Sequence, residues 1–137
     1  MKPGHILGKE YSGELVDAGT RSRWRLADQV IAPFTLACGE CPCCLAGEST
    51  TWVDQVIPGF TTQGAFAEYV SVPRDHNLTP SPVRLSPDLV AGLGCRASTA
   101  WHVLTGRTAS KPGEWLAVHG PGLLVVLGQA TSAASGL

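Results

Sequence analysis

Short stretches of alternating apolar and polar residues predict that this chain is built mainly from β-strands. Three such stretches lie between turn signals: Ser12–Ala18, Gln29–Phe34 and Gly64–Pro73. Glycine and proline, which favour turns, interrupt the sequence throughout. The pattern therefore predicts a mainly β fold with short helices.

The second half of the chain carries the helix signals. In the segment Ser86–Asp88, serine is a good N-cap, proline suits the first helical position and aspartate suits the first turn. A second helix is predicted over Cys95–Leu104 and ends at Thr105–Gly106. A last strand, Glu114–His119, runs into Gly120–Gly122, where a strand-to-helix transition begins.

Composition narrows the classes of function. The 137 residues include 16 Gly and 10 Pro, and ten basic against eleven acidic side chains leave a net charge of -1. Without a basic run, neither nucleic acid nor an anionic membrane is an expected partner. The first residues show no signal peptide and the longest apolar stretch, Leu123–Leu127, is too short to span a bilayer, so a cytoplasmic location is expected.

Four of the five cysteines crowd into one loop. Cys38, Cys41 and Cys44 follow one another at three-residue intervals, a spacing that lets a tight loop turn three thiolates toward one zinc ion. A closed structural zinc site needs four ligands, and the loop contains no histidine. Glu48, Asp54 or water are candidates for the fourth position. The alternative is a set of surface thiols without metal, reduced or partly oxidised.

With that loop, the order of motifs resembles the zinc-dependent medium-chain alcohol dehydrogenases. The resemblance runs in order through HILGKEYSGELVDAG, ADQVIAPF, CGECPCCLAG, GFTTQGAFAEYVSVP, LGCRASTAW and KPGEWLAVHGPG, that is, from His5 to Gly122. It implies a partial GroES-like β-barrel catalytic domain over residues 1–106, lacking its N-terminal segment. Residues 107–137 would then be the first strand and start of a truncated, incomplete Rossmann domain that binds NAD(P).

The resemblance also implies a set of site residues. Cys38, Cys41 and Cys44 match ligands of the structural zinc, and Cys95 in GCR matches a ligand of the catalytic zinc. Glu10 matches the acidic neighbour of the zinc-binding histidine and is a catalytic candidate. Thr99 matches a residue beside the nicotinamide, so it is both a catalytic and a cofactor-binding candidate, and Gly120 and Gly122 would approach the cofactor. Small alcohols or aldehydes are the implied substrates.

Four departures separate this sequence from that pattern. Lys9 stands where the family has the zinc-binding histidine, and Trp52 stands at the fourth structural ligand. The first catalytic cysteine would lie before Met1. The third glycine of the dinucleotide fingerprint is missing after Gly122, which fits a reading-frame change or a gene fragment in the encoding DNA.

Two functional hypotheses follow. In the first, the chain is a fragment of an NAD(P)-linked alcohol dehydrogenase that retains a zinc loop but is inactive alone. In the second, it is a non-catalytic GroES-like structural or interaction module. Unpaired β edges would favour self-association, so a homo-oligomer is expected.

Overall fold

The computed structural model describes residues 2–20, 22–108, 111, 114, 115, 117 and 119. The chain divides into two compact units, Met1–Gly94 and Cys95–Leu137. The fold is mostly sheet and loop with short helices, as the sequence predicts. Within the described part of the chain, no helix is both long and apolar enough to span a membrane.

A three-stranded antiparallel sheet forms the centre of the first unit. Its strands are β1 (Ser12–Glu14), β2 (Gln29–Ile31) and β3 (Thr79–Pro80), in the order β1-β2-β3. Ser12 lies opposite Ile31 and Glu14 opposite Gln29, while Val30 and Ile31 pair with Pro80 and Thr79 on the other side. The apolar residues Val30, Ala32, Leu36 and Leu78 are buried together beside this sheet. This core is continuous with Ala37 and Cys38, where the cysteine loop begins.

The helical elements are short. In the first unit these are α1 (Pro42–Leu45), α2 (Pro87–Ala91) and the 3-10 turns Ser49–Thr51 and Asp75–Asn77. A π-helical turn, Leu93–Ala97, crosses the boundary between the units, and the second unit contains α3 (Ser98–His102) and a π-helical turn, Val103–Arg107.

The helix predicted after Ser86 is confirmed. Ser86 is the N-cap of α2 with extended backbone, Pro87 occupies the first turn and Asp88 adds an acidic group there. The cap makes no side-chain hydrogen bond, so proline and the backbone geometry define this helix start. The helical stretch predicted from Cys95 to Leu104 is also found, and it continues to Arg107.

The first two strand predictions, Ser12–Ala18 and Gln29–Phe34, are right in place but too long. β1 ends at Glu14, and just beyond it Leu15 still exchanges backbone hydrogen bonds with Asp28 and Ala27, where Ala27 takes a left-handed φ of 71° outside the β region. The predicted strand Gly64–Pro73 is wrong. Three successive amides, from Gly64 to Phe66, all donate to the carbonyls of Ile6–Gly8, whereas amides along a strand alternate between its two sides. Of the predicted strand Glu114–His119, residues 114, 115, 117 and 119 are described and none of these four is in a strand, while Leu116 and Val118 lie outside the described residues.

Candidate metal centre

Three sulfur atoms meet in the loop between Cys38 and Cys44. The Sγ of Cys44 lies 3.4 Å from that of Cys41 and 3.7 Å from that of Cys38. All three sulfurs lie within 4.8 Å of one another, and each cysteine is half-buried. Three of the metal ligands predicted from the sequence are thus brought together.

The spacing of these sulfurs matches that of zinc ligands. A tetrahedral zinc with Zn–S bonds of about 2.3 Å places neighbouring sulfurs about 3.8 Å apart. The two sulfur contacts of Cys44, at 3.4 and 3.7 Å, are close to that edge length. Two of the three sulfur separations are therefore already near those of a zinc site, and the third is within 4.8 Å.

Local backbone features turn the three side chains inward. Gly39 has a φ of +79°, which places the chain after Cys38 in a tight left-handed turn. Cys41 is the N-cap of α1 and Pro42 begins the helix, and the Cys41 sulfur accepts from the Cys44 amide at 3.5 Å. The Cys38 sulfur accepts from the Cys41 amide at 3.4 Å. The loop is therefore ordered by amide-to-sulfur hydrogen bonds before any metal is considered.

Two distant side chains fix the first end of the loop. The buried Asn77 accepts from the Ala37 amide at 2.9 Å and donates to the Ala37 carbonyl at 3.0 Å. The Nε2 atom of His76 lies 3.0 Å from the same carbonyl. The imidazole also covers Gly39, where an added Cβ would lie only 2.6 Å from its Cε1 atom. The residue before Cys38 is therefore held on both its amide and its carbonyl.

The hydrogen bonds give the thiols different acidities. The backbone amide of Glu40 is the main cause that lowers the pKa of Cys38, against the opposing effect of desolvation. The amide of Cys44 lowers the pKa of Cys41, but desolvation and the sulfurs of Cys44 and Cys38 together raise it to about 11. At neutral pH, Cys41 therefore keeps its proton, which it must release when a metal binds.

No fourth ligand from the described residues joins this group. Among the residues with defined positions, only Cys38, Cys41 and Cys44 bring histidine, cysteine or carboxylate atoms together at metal-binding separations. Neither Glu48 nor Asp54, both candidates from the sequence, belongs to the group. Cys43 is half-buried in α1 but lies outside it as well.

The other predicted site residues have separate positions. Glu10 is half-buried in the first unit, whereas Cys95 and Thr99 belong to the second. Cys95 is buried in the π-helical turn, where its carbonyl accepts from the Ser98 hydroxyl at 3.1 Å, and Thr99 is half-buried on α3. Gly120 and Gly122 lie outside the described residues.

Lys9, which the family resemblance predicts to lie at the position of the zinc-binding histidine, contacts aromatic rings. Its Nζ lies 4.8 Å from the centroid of the Phe34 ring and 5.9 Å from that of Phe60. Both distances fall within the range of cation–π attraction, about 6 Å. The half-buried ammonium is thus directed to π faces.

Asn77 and His76 are site residues that the sequence alone did not reveal. They lie nearly forty residues from the loop that they hold, so no local spacing connects them with the cysteines. The only local signal was the residue type itself: Asn77 ends the 3-10 turn before Leu78, and asparagine is common in turns for local reasons.

Comparison with known proteins gives matches over most of the chain. Residues 1–83 match the model of the alcohol dehydrogenase GroES-like domain. An L-threonine 3-dehydrogenase from Bacillus licheniformis is 34% identical over 137 residues, covering 99% of this chain and 38% of that protein. An alcohol dehydrogenase from Geobacillus stearothermophilus is 35% identical, covering 85% of this chain and 34% of that protein. The chain thus spans well under half the length of these relatives.

Solved structures show the same architecture. An alcohol dehydrogenase from a Thermus species superposes with a TM-score of 0.94 at 30% identity, covering 99% of this chain and 41% of that one. A cobalt- and zinc-bound thermostable alcohol dehydrogenase from Pyrobaculum aerophilum has a TM-score of 0.83 at 32% identity, covering 96% and 40% respectively. The resemblance read from the sequence motifs is therefore confirmed at the level of the fold.

Proposed function

Since the chain belongs to the family of alcohol dehydrogenase GroES-like domains, we propose that it is a zinc-binding part of an NAD(P)-linked alcohol or aldehyde oxidoreductase. Cys38, Cys41 and Cys44 hold the zinc in this proposal. The single observation that carries it is the meeting of the three sulfurs at 3.4 and 3.7 Å around Cys44. Zinc is the metal that three closely spaced thiolates favour in a tetrahedral arrangement.

Zinc in this loop would stabilise the fold and would not take part in catalysis. Zinc supplies bonds that cross-link thiolates, and structural sites of this kind contribute directly to folding free energy. The surrounding residues prepare those bonds. The amides of Cys41 and Cys44 stabilise the charged sulfurs, and Asn77 fixes the residue that precedes Cys38.

The catalytic part of the proposal rests on the family resemblance. Glu10 and Thr99 would act beside the substrate and the nicotinamide, Cys95 would contribute to the catalytic metal, and Gly120 and Gly122 would approach NAD(P). The division at residues 106 and 107 and a homo-oligomeric state belong to the same set of predictions.

We expect the chain to lack dehydrogenase activity on its own, because of Lys9. An ammonium has no lone pair with which to coordinate a metal. The Nζ atom of Lys9 lies instead within cation–π distance of two aromatic rings. The position that the family resemblance assigns to the histidine ligand therefore offers no donor to a metal.

Metal analysis of paired variants tests the proposed zinc site. Purified protein should contain about one zinc per chain, and Cys44→Ser should lose it because Cys44 contacts both other sulfurs. Cys43→Ser is the matched control, since Cys43 is the adjacent cysteine and lies outside the group. Equal zinc loss in the two variants, or no zinc in the unmodified chain, would contradict the proposal.

The accompanying activity assay uses the zinc-loaded chain with short alcohols and either NAD or NADP. No cofactor reduction is expected. Turnover that depends on zinc would refute the inactive-fragment proposal while leaving the zinc site intact.

A further inference from the structure

The cysteine loop offers a metal three donors from the protein, one fewer than a tetrahedral zinc requires. We propose that the metal-loaded loop has an open fourth coordination position and that an external thiolate binds there. This inference rests on the proposed zinc site and goes beyond it. It makes the loop a small-molecule thiol-binding site.

The nearby polar groups have other partners. The Glu40 carboxylate lies 3.2 Å from the Arg74 guanidinium and does not belong to the group of metal donors. The Nε2 atom of His76 is engaged with the Ala37 carbonyl. Trp52, which follows the 3-10 turn after the loop, carries an indole N–H that donates and has no lone pair for a metal. The described residues near the loop therefore leave the fourth position to an outside ligand.

An outside ligand has access to the cluster. The three cysteines are only half-buried, and Leu45, which follows Cys44 in the chain, is 76% exposed. Zinc sites with three protein ligands generally keep the fourth position for water or a substrate, whereas closed sites with four protein ligands exclude both. The exposure of this loop is that of an accessible site.

Sulfur is the donor that this environment favours. A zinc ion bound by three thiolates has a net charge of about -1, and a fourth thiolate makes it about -2, as in four-cysteine sites. Backbone amides already disperse negative charge on two of the sulfurs, from Cys41 to Cys38 and from Cys44 to Cys41. Soft thiolates are also better zinc ligands than carboxylates. We therefore assign the position to a small thiolate.

Cobalt substitution measures the number of bound thiolates directly. The Cys43→Ser variant is loaded with Co²⁺ without oxygen, so that a neighbouring chain cannot supply the fourth sulfur through Cys43. Titration with 2-mercaptoethanol should raise the sulfur-to-cobalt charge-transfer absorption by about one third, as three bound thiolates become four. An unchanged or falling band would overturn the inference.

Trp52→Cys, made in the Cys43→Ser protein, is designed to fill the fourth coordination position from within the chain. It places a cysteine at the position that corresponds to the family's fourth ligand, so its band should start at the higher level and no longer respond to the thiol. A four-thiolate band in the Cys43→Ser protein before any thiol is added would also overturn the inference. A failure of both proteins to bind Co²⁺ would refute the zinc site itself, whereas Co²⁺ binding without a thiol response would refute only the open position.

Discussion

The cysteine loop and the segment around Lys9 have each lost one residue that the family resemblance assigns to a metal, with different consequences. In the loop, Trp52 replaces a ligand and three sulfurs still meet within 4.8 Å. Around position 9, a lysine replaces a ligand and its ammonium lies against Phe34 and Phe60. On the proposed function, the first change leaves a metal site with three protein donors, whereas the second places an ammonium at the position predicted for a ligand.

The difference follows from how each set of ligands is assembled. The cysteines of the loop are three residues apart and are oriented by their own backbone amides, so the three sulfurs stay together although Trp52 stands at the fourth position. The ligands that the family resemblance implies for a catalytic zinc would come from well-separated parts of the sequence, and Lys9 stands at one of those positions. In this chain, the described residues bring metal donors together only in the local loop.

The largest effect is expected from Asn77→Ala, which tests whether the loop depends on its distant support. The change removes the oxygen that accepts from the Ala37 amide and the nitrogen that donates to the Ala37 carbonyl. The free energy of unfolding should fall by about 3 kcal/mol. Urea unfolding with and without saturating zinc measures it. Zinc should recover part of the loss, because it binds only the folded loop.

The control for Asn77 is Arg74→Ala, which removes the exposed ion pair to Glu40. That pair should contribute less than about 1 kcal/mol, since both side chains are largely in solvent. If the two variants unfold at the same urea concentration, the buried amide does not support the loop in the way proposed.

The next effect is the dependence of zinc affinity on pH. The pKa of Cys41 is raised to about 11, so this thiol is protonated in the metal-free protein at neutral pH and releases its proton on binding. Affinity should therefore rise as pH rises, by about tenfold per pH unit for this one proton, between roughly pH 6 and pH 8. Competition with a coloured chelator at several pH values measures the slope. A flat profile would show that Cys41 is not a ligand.

Much of the loop was predictable from sequence, because its chemistry is local. The spacing of Cys38, Cys41 and Cys44 predicted their meeting, and Ser86 with Pro87 predicted the start of α2. The support from Asn77 was not predictable, since it depends on how a segment forty residues away packs against Ala37. The strand predicted over Gly64–Pro73 failed for a related reason. Alternation shows that a stretch can be a strand, but regular pairing depends on its partner.

The smallest effect is expected at Lys9, which represents the second of the two compared regions. Lys9→Met keeps most of the side-chain length but removes the charge, so the free energy of unfolding should fall by about 1 kcal/mol through the lost attraction to the rings. Lys9→Arg should keep most of that energy, because a guanidinium also binds π faces. The loss should be the same with and without zinc, since Lys9 takes no part in the cysteine loop. If Lys9→Met costs no stability in the Phe34→Leu background, the attraction lies at the nearer ring. If Lys9→Arg loses as much stability as Lys9→Met, packing and not charge holds Lys9 in place.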